Sequence, residues 1–151
     1  METLFAISIQ QPWIDMILNG AKTLELRTMN VRRRGTIVLH APWRIDFSAA
    51  YLFGYREPWK LPRGQVLAVA EIERVDLLEE EAFLDRLAEH RQPIPIGGGV
   101  FGIHLSNVRV LHTGVRCRGR QQLFPLPESV AERVAQALRD TPGPHELQLG
   151  L

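Results

Sequence analysis

The segment SIQQPWIDMILNGAKTLELRT, from Ser8 to Thr28, constrains the fold most, because it places a short helix directly before a strand. Pro12 stands where the first turn of a helix tolerates proline, and Gly20 stands where a helix ends in a left-handed residue. The following TLELRT alternates apolar and polar residues, which predicts a strand with Glu25 and Arg27 on its polar face. We therefore expect a fold that mixes helices and strands.

The rest of the chain continues this mixture. Strands are predicted at FAISI, TIVLHA and QVLAVAEIERV, and VFGIHL and VRVLH are expected to pair around the turn SN. Helices are predicted at EEEAFLDRLAEHR and at FPLPESVAERVAQALRD, the latter with Ser129 and Glu132 as a capping box. About five or six strands without a helix between each pair do not have the rhythm of a parallel sheet, so the predicted class is α+β or barrel-like.

Composition bounds the class of protein. With 151 residues, 45% hydrophobic and 23% charged, the sequence fits one globular domain over residues 1–151, with a helical extension from about residue 128. No secretory signal and no apolar run near the ~18 residues of a membrane span are found, which predicts a cytoplasmic protein that does not insert into a membrane. The single cysteine, Cys117, excludes an internal disulfide and a multi-cysteine zinc site. The histidines His90, His112 and His145 show no metal-ligand spacing, so no metal site is expected. No cofactor is expected either.

Positive charge and aromatic residues are unevenly distributed, although the net charge is only +1. The segment RCRGR is strongly basic, and six of the eleven aromatic residues lie between Trp43 and Trp59, interleaved with basic residues. Aromatic rings and cations together are typical of single-stranded nucleic-acid binding. However, Phe47 and Tyr51 also fit the buried face of a short helix. We expect these two in the core and Trp43 and Trp59 exposed.

Three charged residues follow the first helix closely: Lys22, Glu25 and Arg27. Glu25 and Arg27 are two apart on a strand, about 7 Å along it, which permits an ordinary salt bridge. The alternative is a binding site, in which Lys22 contacts a phosphate, Arg27 holds a phosphate or base edge, and Glu25 accepts from an amino group. His40 follows in the TIVLHA strand, either as a hydrogen-bonded core residue or as a cleft residue.

Together these segments resemble the ASCH family, named after activating signal cointegrator-1 homology. The family pattern is a strand, a QPW helix start and GxKxxExR, matched by Gly20, Lys22, Glu25 and Arg27. RGTIVLHA, GQVLAVAEIERV and VFGIHLSNVRVL followed by VRCRGRQQLFPLP are similar to later family segments, so the resemblance covers roughly Phe5 to Pro127. It implies a PUA-like β-barrel of five to six strands with surrounding helices, a fold shared with RNA-binding modules.

The resemblance also implies that the cleft beside GxKxxExR is the functional surface. RNA or a nucleotide or nucleoside is the expected ligand, and the expected binding residues are Gln10, Trp13, Lys22, Glu25, Arg27 and His40.

Three functions stay open at this point. The first is an RNA- or nucleotide-binding module. The second is a small hydrolase with Lys22 and Glu25 as catalytic residues, because some ASCH proteins remove the acetyl group from N4-acetylcytidine. Those enzymes have a threonine where this chain has Glu25. Other relatives cleave RNA, for which Lys22, Glu25 and Glu71 are the candidate acid and base. The third is a protein-interaction domain with a protein partner.

Overall fold

The computed structural model describes residues 3–92 and 99–142 of the chain. In chain order the elements are β1 (Phe5–Ser8), α1 (Trp13–Leu18), β2 (Leu24–Arg27), β3 (Gly35–Ala41), α2 (Phe47–Leu52), β4 (Gln65–Leu78), α3 (Glu80–Asp85), α4 (Leu87–His90), β5 (Val100–Arg116), β6 (Leu123–Pro125) and α5 (Glu128–Asp140). A short 3₁₀ helix, Pro58–Lys60, lies between α2 and β4. Within these two ranges, none of the helices has the length and apolar character needed to cross a membrane.

The strands form one mixed sheet in the order β2-β5-β4-β3-β1-β6. β1 runs parallel to β3, and the other neighbouring pairs are antiparallel. The predicted α+β class with six strands is confirmed. β2 and β6 are the two edges, and no backbone pairing joins them within the described residues. We call the gap between these edges the seam.

The sheet buries apolar side chains on both faces, because successive strand residues point to opposite sides. On one face Ile37 and Leu39 of β3 pack with Ile14 and Ile17 of α1. On the other face Val38 packs with α5 through a cluster that includes Val66, Phe124, Val130 and Val134. The two helices thus cover opposite faces of the sheet, which leaves the strand ends available for a site.

The turn after α1 follows the sequence prediction. Gly20 has a φ of 85°, and the backbone N–H of Lys22 donates to the carbonyl of Met16 at 3.0 Å. This turn directs the chain straight into β2. It places Lys22 at the junction between helix and sheet.

β5 corrects the prediction of two strands paired around SN. Val100–Arg116 is one continuous strand. Asn107 has a φ of 49°. Two residues of β5 lie between the pairs Glu71–Ser106 and Val69–Arg109, whereas β4 has one residue there. The SN segment is therefore a bulge and not a turn, because β4 continues alongside it.

Two helix predictions were also wrong in detail. EEEAFLDRLAEHR forms two short helices, α3 and α4, which meet at Arg86. α5 begins after Pro127 without a side-chain cap, so the capping box of Ser129 and Glu132 is not formed. The helix begins at Glu128, so Ser129 lies within its first turn and not at the position before it, where a capping side chain must stand.

The aromatic residues of α2 lie outside the core, contrary to the prediction. Phe47 and Tyr51 are exposed and stack on each other with ring centroids 6.2 Å apart. The small residues Ala49 and Ala50 face inward instead. Trp43, just before α2, is exposed as predicted, and so is Trp59.

Candidate functional site

A broad cleft of about 1730 Å³ lies where β1, β2 and the ends of β3 and β5 meet α1 and the β5–β6 loop. Seven side chains that line it are basic: Lys22, Arg27, Arg44, Arg63, Arg116, Arg118 and Arg120. Among the described residues of the lining, Glu25 is the single carboxylate. Seven cations against one carboxylate give the lining a formal charge of +6, compared with +1 for the whole chain. Such a concave positive surface attracts anionic ligands.

Lys22, Glu25 and Arg27 converge in this cleft. Lys22 Nζ lies 3.5 Å from Glu25 Oε1, and Arg27 Nη2 lies 3.4 Å from Glu25 Oε2. The salt bridge that the strand spacing permits is therefore formed. All three residues also line the cleft, so these ion pairs form part of the cleft wall.

Lys22 is unusually buried for a lysine, with 2% of its surface exposed. Its Nζ donates to the carbonyl oxygen of His90 at 2.8 Å and lies 4.9 Å from the centre of the Trp13 ring. Burial lowers the pKa of Lys22, the carboxylate of Glu25 opposes this effect, and the charge of Arg27 adds to it. The cleft therefore contains an amine that releases its proton more readily than a surface lysine.

Arg27 connects β2 to the opposite side of the seam. Its Nη2 donates to the backbone carbonyl of Ser8 in β1. It also lines a smaller cavity of about 240 Å³, whose other walls include Met29 in the loop after β2 and Leu123 in β6. One guanidinium thus stands between two cavities. Through this side chain it links the edge strand β2 to β1, the neighbour of the other edge strand β6, where backbone pairing is missing.

His40 lines the cleft although it is fully buried, and it lies beside its register partner Ser8. Its Nε2 is 2.7 Å from the carbonyl oxygen of Cys117, which can only accept, so Nε2 carries the proton. Nδ1 then accepts from the Ser8 hydroxyl at 3.0 Å. Burial lowers the pKa of His40, and the hydrogen bond to Cys117 opposes this. His40 is fully buried and Ser8 is half-buried, so Ser8 is the more accessible member of the pair.

Gln10 and Trp13, the other predicted binding residues, also line the cleft. Trp13 is held by two contacts: its Nε1 donates to Asp46 Oδ2 at 3.0 Å, and its ring packs edge-on against Phe53. Gln11 is fully buried and donates to the carbonyl of Pro62 at 3.0 Å. The structure thus places all six predicted binding residues around one cleft, with Gln11 fixing the loop beside them.

The basic segment RCRGR is not among the site residues predicted from the sequence. In the structure Arg116, Arg118 and Arg120 line the same cleft from the end of β5 and the following loop. Gly119 allows this approach, because a Cβ there would lie 2.5 Å from His40 Cε1. The three arginines and Arg44 are exposed, and their guanidinium groups make no hydrogen bond or ion pair within residues 3–92 and 99–142.

Glu71, considered as an acid or base for RNA cleavage, is not brought to the site. It is exposed on β4, opposite Thr36 and Ser106, and it does not line the cleft. Of the three residues considered for that chemistry, the structure brings only Lys22 and Glu25 together.

Comparison with known proteins adds a family to this geometry. The family model described as the ASCH domain matches residues 7–124. The crystal structure of an ASCH protein from Zymomonas mobilis aligns with a TM-score of 0.62 at 14% identity, covering 87% of this chain and 93% of that chain. Two point-mutant forms of that protein align with TM-scores of 0.64 and 0.61 at 13% identity, covering 89% and 87% of this chain and 98% and 94% of theirs. No curated protein matches the chain.

At these identities the structural likeness establishes the fold alone, and it agrees with the PUA-like fold that the sequence resemblance implied. The family match includes the strand of Ser8, the segment from Gly20 to Arg27 and the basic RCRGR segment, which are the parts that surround the cleft. This chain belongs to the ASCH domain family.

Proposed function

We propose that this protein binds RNA or a nucleotide in the cleft beside Lys22, Glu25 and Arg27. The observation that carries the proposal is the composition of the lining, with seven basic side chains and one carboxylate. Contacts between basic side chains and phosphates supply most of the affinity in nucleic-acid binding. The exposed arginines of the lining contact phosphates without breaking an ion pair described in the structure.

The buried charges have a different role in this proposal. Glu25 is an acceptor between the two donors Lys22 and Arg27, and Gln10 adds an amide nearby. A fixed set of donors and acceptors recognises the polar edge of a base, whereas a phosphate requires only donors. We therefore assign base or sugar contacts to the set formed by Glu25, Lys22, Arg27 and Gln10. Phosphate contacts are assigned to the exposed arginines of the lining.

The test is RNA affinity across a salt series, measured by fluorescence anisotropy with labelled RNA. We compare a triple variant, Arg116→Gln, Arg118→Gln and Arg120→Gln, with a control that removes three basic residues outside the lining, Arg32→Gln, Arg74→Gln and Arg139→Gln. We define the salt slope as the slope of the logarithm of the binding constant against the logarithm of the salt concentration. Each lost phosphate contact is expected to reduce the magnitude of this slope by about 0.7. Absence of binding at low salt, or an equal loss in both triple variants, contradicts the proposal.

A second candidate function is hydrolysis of a modified nucleoside of the N4-acetylcytidine type, or of RNA. The observation that favours it is the lowered pKa of buried Lys22 together with a carboxylate 3.5 Å away. A lysine whose pKa is lowered by burial can act as a general base or nucleophile. In this candidate Lys22 and Glu25 are the catalytic residues.

Incubation with N4-acetylcytidine and with labelled RNA tests this second candidate. We expect product with the unmodified protein and none with Lys22→Met. The control is Lys60→Met, since Lys60 is exposed and lies outside the lining. A folded protein that converts neither substrate rules out the hydrolase. A cytoplasmic location, a single domain over residues 1–151 and a protein partner stay predictions from the sequence.

A further inference from the structure

Trp43 is the most exposed of the large hydrophobic side chains in residues 3–92 and 99–142, at 69%. It follows the end of β3 and lines the basic cleft. Tryptophan has a large apolar surface and is enriched at interfaces, where a partner covers that surface. An exposed indole at the edge of a positively charged cleft therefore requires an explanation.

The ring is held in place despite its exposure. Gly64 lies so close that a Cβ on it would be 2.5 Å from Cε2 and Nε1 of the indole. The guanidinium carbon of Arg63 lies 5.2 Å from the ring centre, and Nη1 of Arg63 donates to the carbonyl of Trp43 at 2.8 Å. A ring positioned before the ligand arrives loses little conformational freedom on binding.

We infer that Trp43 is a stacking platform for a nucleobase, and that the ligand is a single-stranded RNA of several nucleotides and not an isolated nucleoside. This inference rests on the proposed RNA-binding function and specifies its ligand. A fixed aromatic ring next to a row of cations is the arrangement by which proteins bind single strands, since every base has a face that stacks.

The size and charge of the cleft agree with a strand. A volume of about 1730 Å³ exceeds the ~300–1,000 Å³ that is typical of pockets for one small molecule. Four exposed arginines line the cleft, namely Arg44, Arg116, Arg118 and Arg120. They outnumber the phosphates of a mononucleotide. A nucleoside has no phosphate and leaves all of these cations without a counter-charge.

The experiment measures the affinity of a labelled single-stranded RNA of about eight nucleotides, within the ~4–16 nucleotides that single-strand binding folds cover. Trp43→Ala is expected to weaken binding by about fivefold or more, while Trp43→Phe keeps most of the affinity. The salt slope stays unchanged, because no phosphate contact is removed. Inorganic polyphosphate, which has no bases, is expected to bind Trp43→Ala and the unmodified protein equally.

Trp59→Ala is the matched control, since Trp59 is also exposed but does not line the cleft. If Trp43→Ala binds RNA as well as Trp59→Ala does, the stacking platform is wrong and RNA binding by the arginines stands. If a single nucleoside binds as tightly as the strand, the ligand class is wrong. If no RNA binds the unmodified protein, the proposed function and this inference both fail.

Discussion

At the scale of single residues, the cleft depends on a lysine and two histidines that are removed from water. Lys22 is 2% exposed, and His40 and His90 are fully buried. Each has a lowered pKa, mainly because burial disfavours the charged form. The sequence identified Lys22 and His40 as candidates from a motif and a strand. It gave no sign that His90 lies next to Lys22, because that contact joins residues 68 positions apart.

Glu25→Gln is expected to lower the pKa of Lys22 further. The carboxylate of Glu25 raises that pKa against the effect of burial, so its removal leaves the effect of burial unopposed. Arg27→Gln has the opposite sign, because the charge of Arg27 lowers the pKa of Lys22. An NMR titration of the Lys22 side chain in both variants checks the two directions. Equal shifts of the same sign contradict this electrostatic description.

The two buried histidines predict a loss of stability in acid. Their folded pKa values lie below the usual ~6.5, so the unfolded chain binds more protons as the pH falls. The contribution of each histidine to the free energy of unfolding is fully present above about pH 6.5. Below that pH the free energy of unfolding decreases, at most by ~1.4 kcal/mol per pH unit for each histidine. Urea unfolding between about pH 8 and pH 5 measures this slope. His90→Gln is expected to reduce the slope.

At the scale of elements, the parts predicted correctly are those whose signals are local. Pro12 and Gly20 bound α1 correctly, and alternation located β2. The bulge at Asn107 could not be distinguished from a turn, because an asparagine with positive φ suits both and the neighbouring strand decides between them. The continuous β5 ends at Arg116 and leads into RCRGR, which lines the cleft.

The prediction of how α2 packs was wrong for a related reason. Phe47 and Tyr51 are one helical turn apart, and so they form a plausible inward face when only periodicity is considered. The inward positions are instead taken by Ala49 and Ala50, which let the helix approach closely. Helix periodicity identifies a stripe of residues but not the side of the helix that the rest of the chain covers.

Ser129→Ala tests the corrected start of α5. A capping serine is worth ~1 kcal/mol, so the sequence-based capping box predicts a loss of about that size. In the structure Ser129 is exposed and α5 has no side-chain cap. We therefore expect a change in the free energy of unfolding within ~0.5 kcal/mol. Val134→Ala on the buried face of the same helix is the positive control, with an expected loss of about 1–3 kcal/mol.

At the scale of the whole molecule, the sheet is held along its seam by a side chain. Arg27 of β2 donates to the backbone of Ser8 in β1, on the far side of the gap. The cleft lies directly beside this contact, so the shape of the cleft depends on the distance between the two edges. Arg27 of the GxKxxExR motif therefore bridges the seam and also lines the cleft, a combination that spacing alone did not reveal.

Arg27→Ala is expected to loosen both edges of the seam. Loss of its hydrogen bond to Ser8 and of its ion pair with Glu25 is expected to cost about 1–3 kcal/mol. Hydrogen exchange is expected to accelerate in β2 and β6 while β3 and β4, in the middle of the sheet, stay protected. Arg32→Ala, at an exposed position close by, leaves the exchange of both edges unchanged. Uniform acceleration across the whole sheet contradicts the seam as a local opening.

The only thiol of the chain has a practical consequence. Cys117 is buried, and burial raises its pKa, against the charge of Arg133. Its N–H donates to the carbonyl of Gly64 and its carbonyl accepts from His40, so its backbone is anchored on both sides. Thiolate is the species that reacts with alkylating reagents, and the folded protein shields this sulfur. The rate at which iodoacetamide modifies the native protein therefore measures how often the loop that contains Arg118 and Arg120 opens. No added probe is needed.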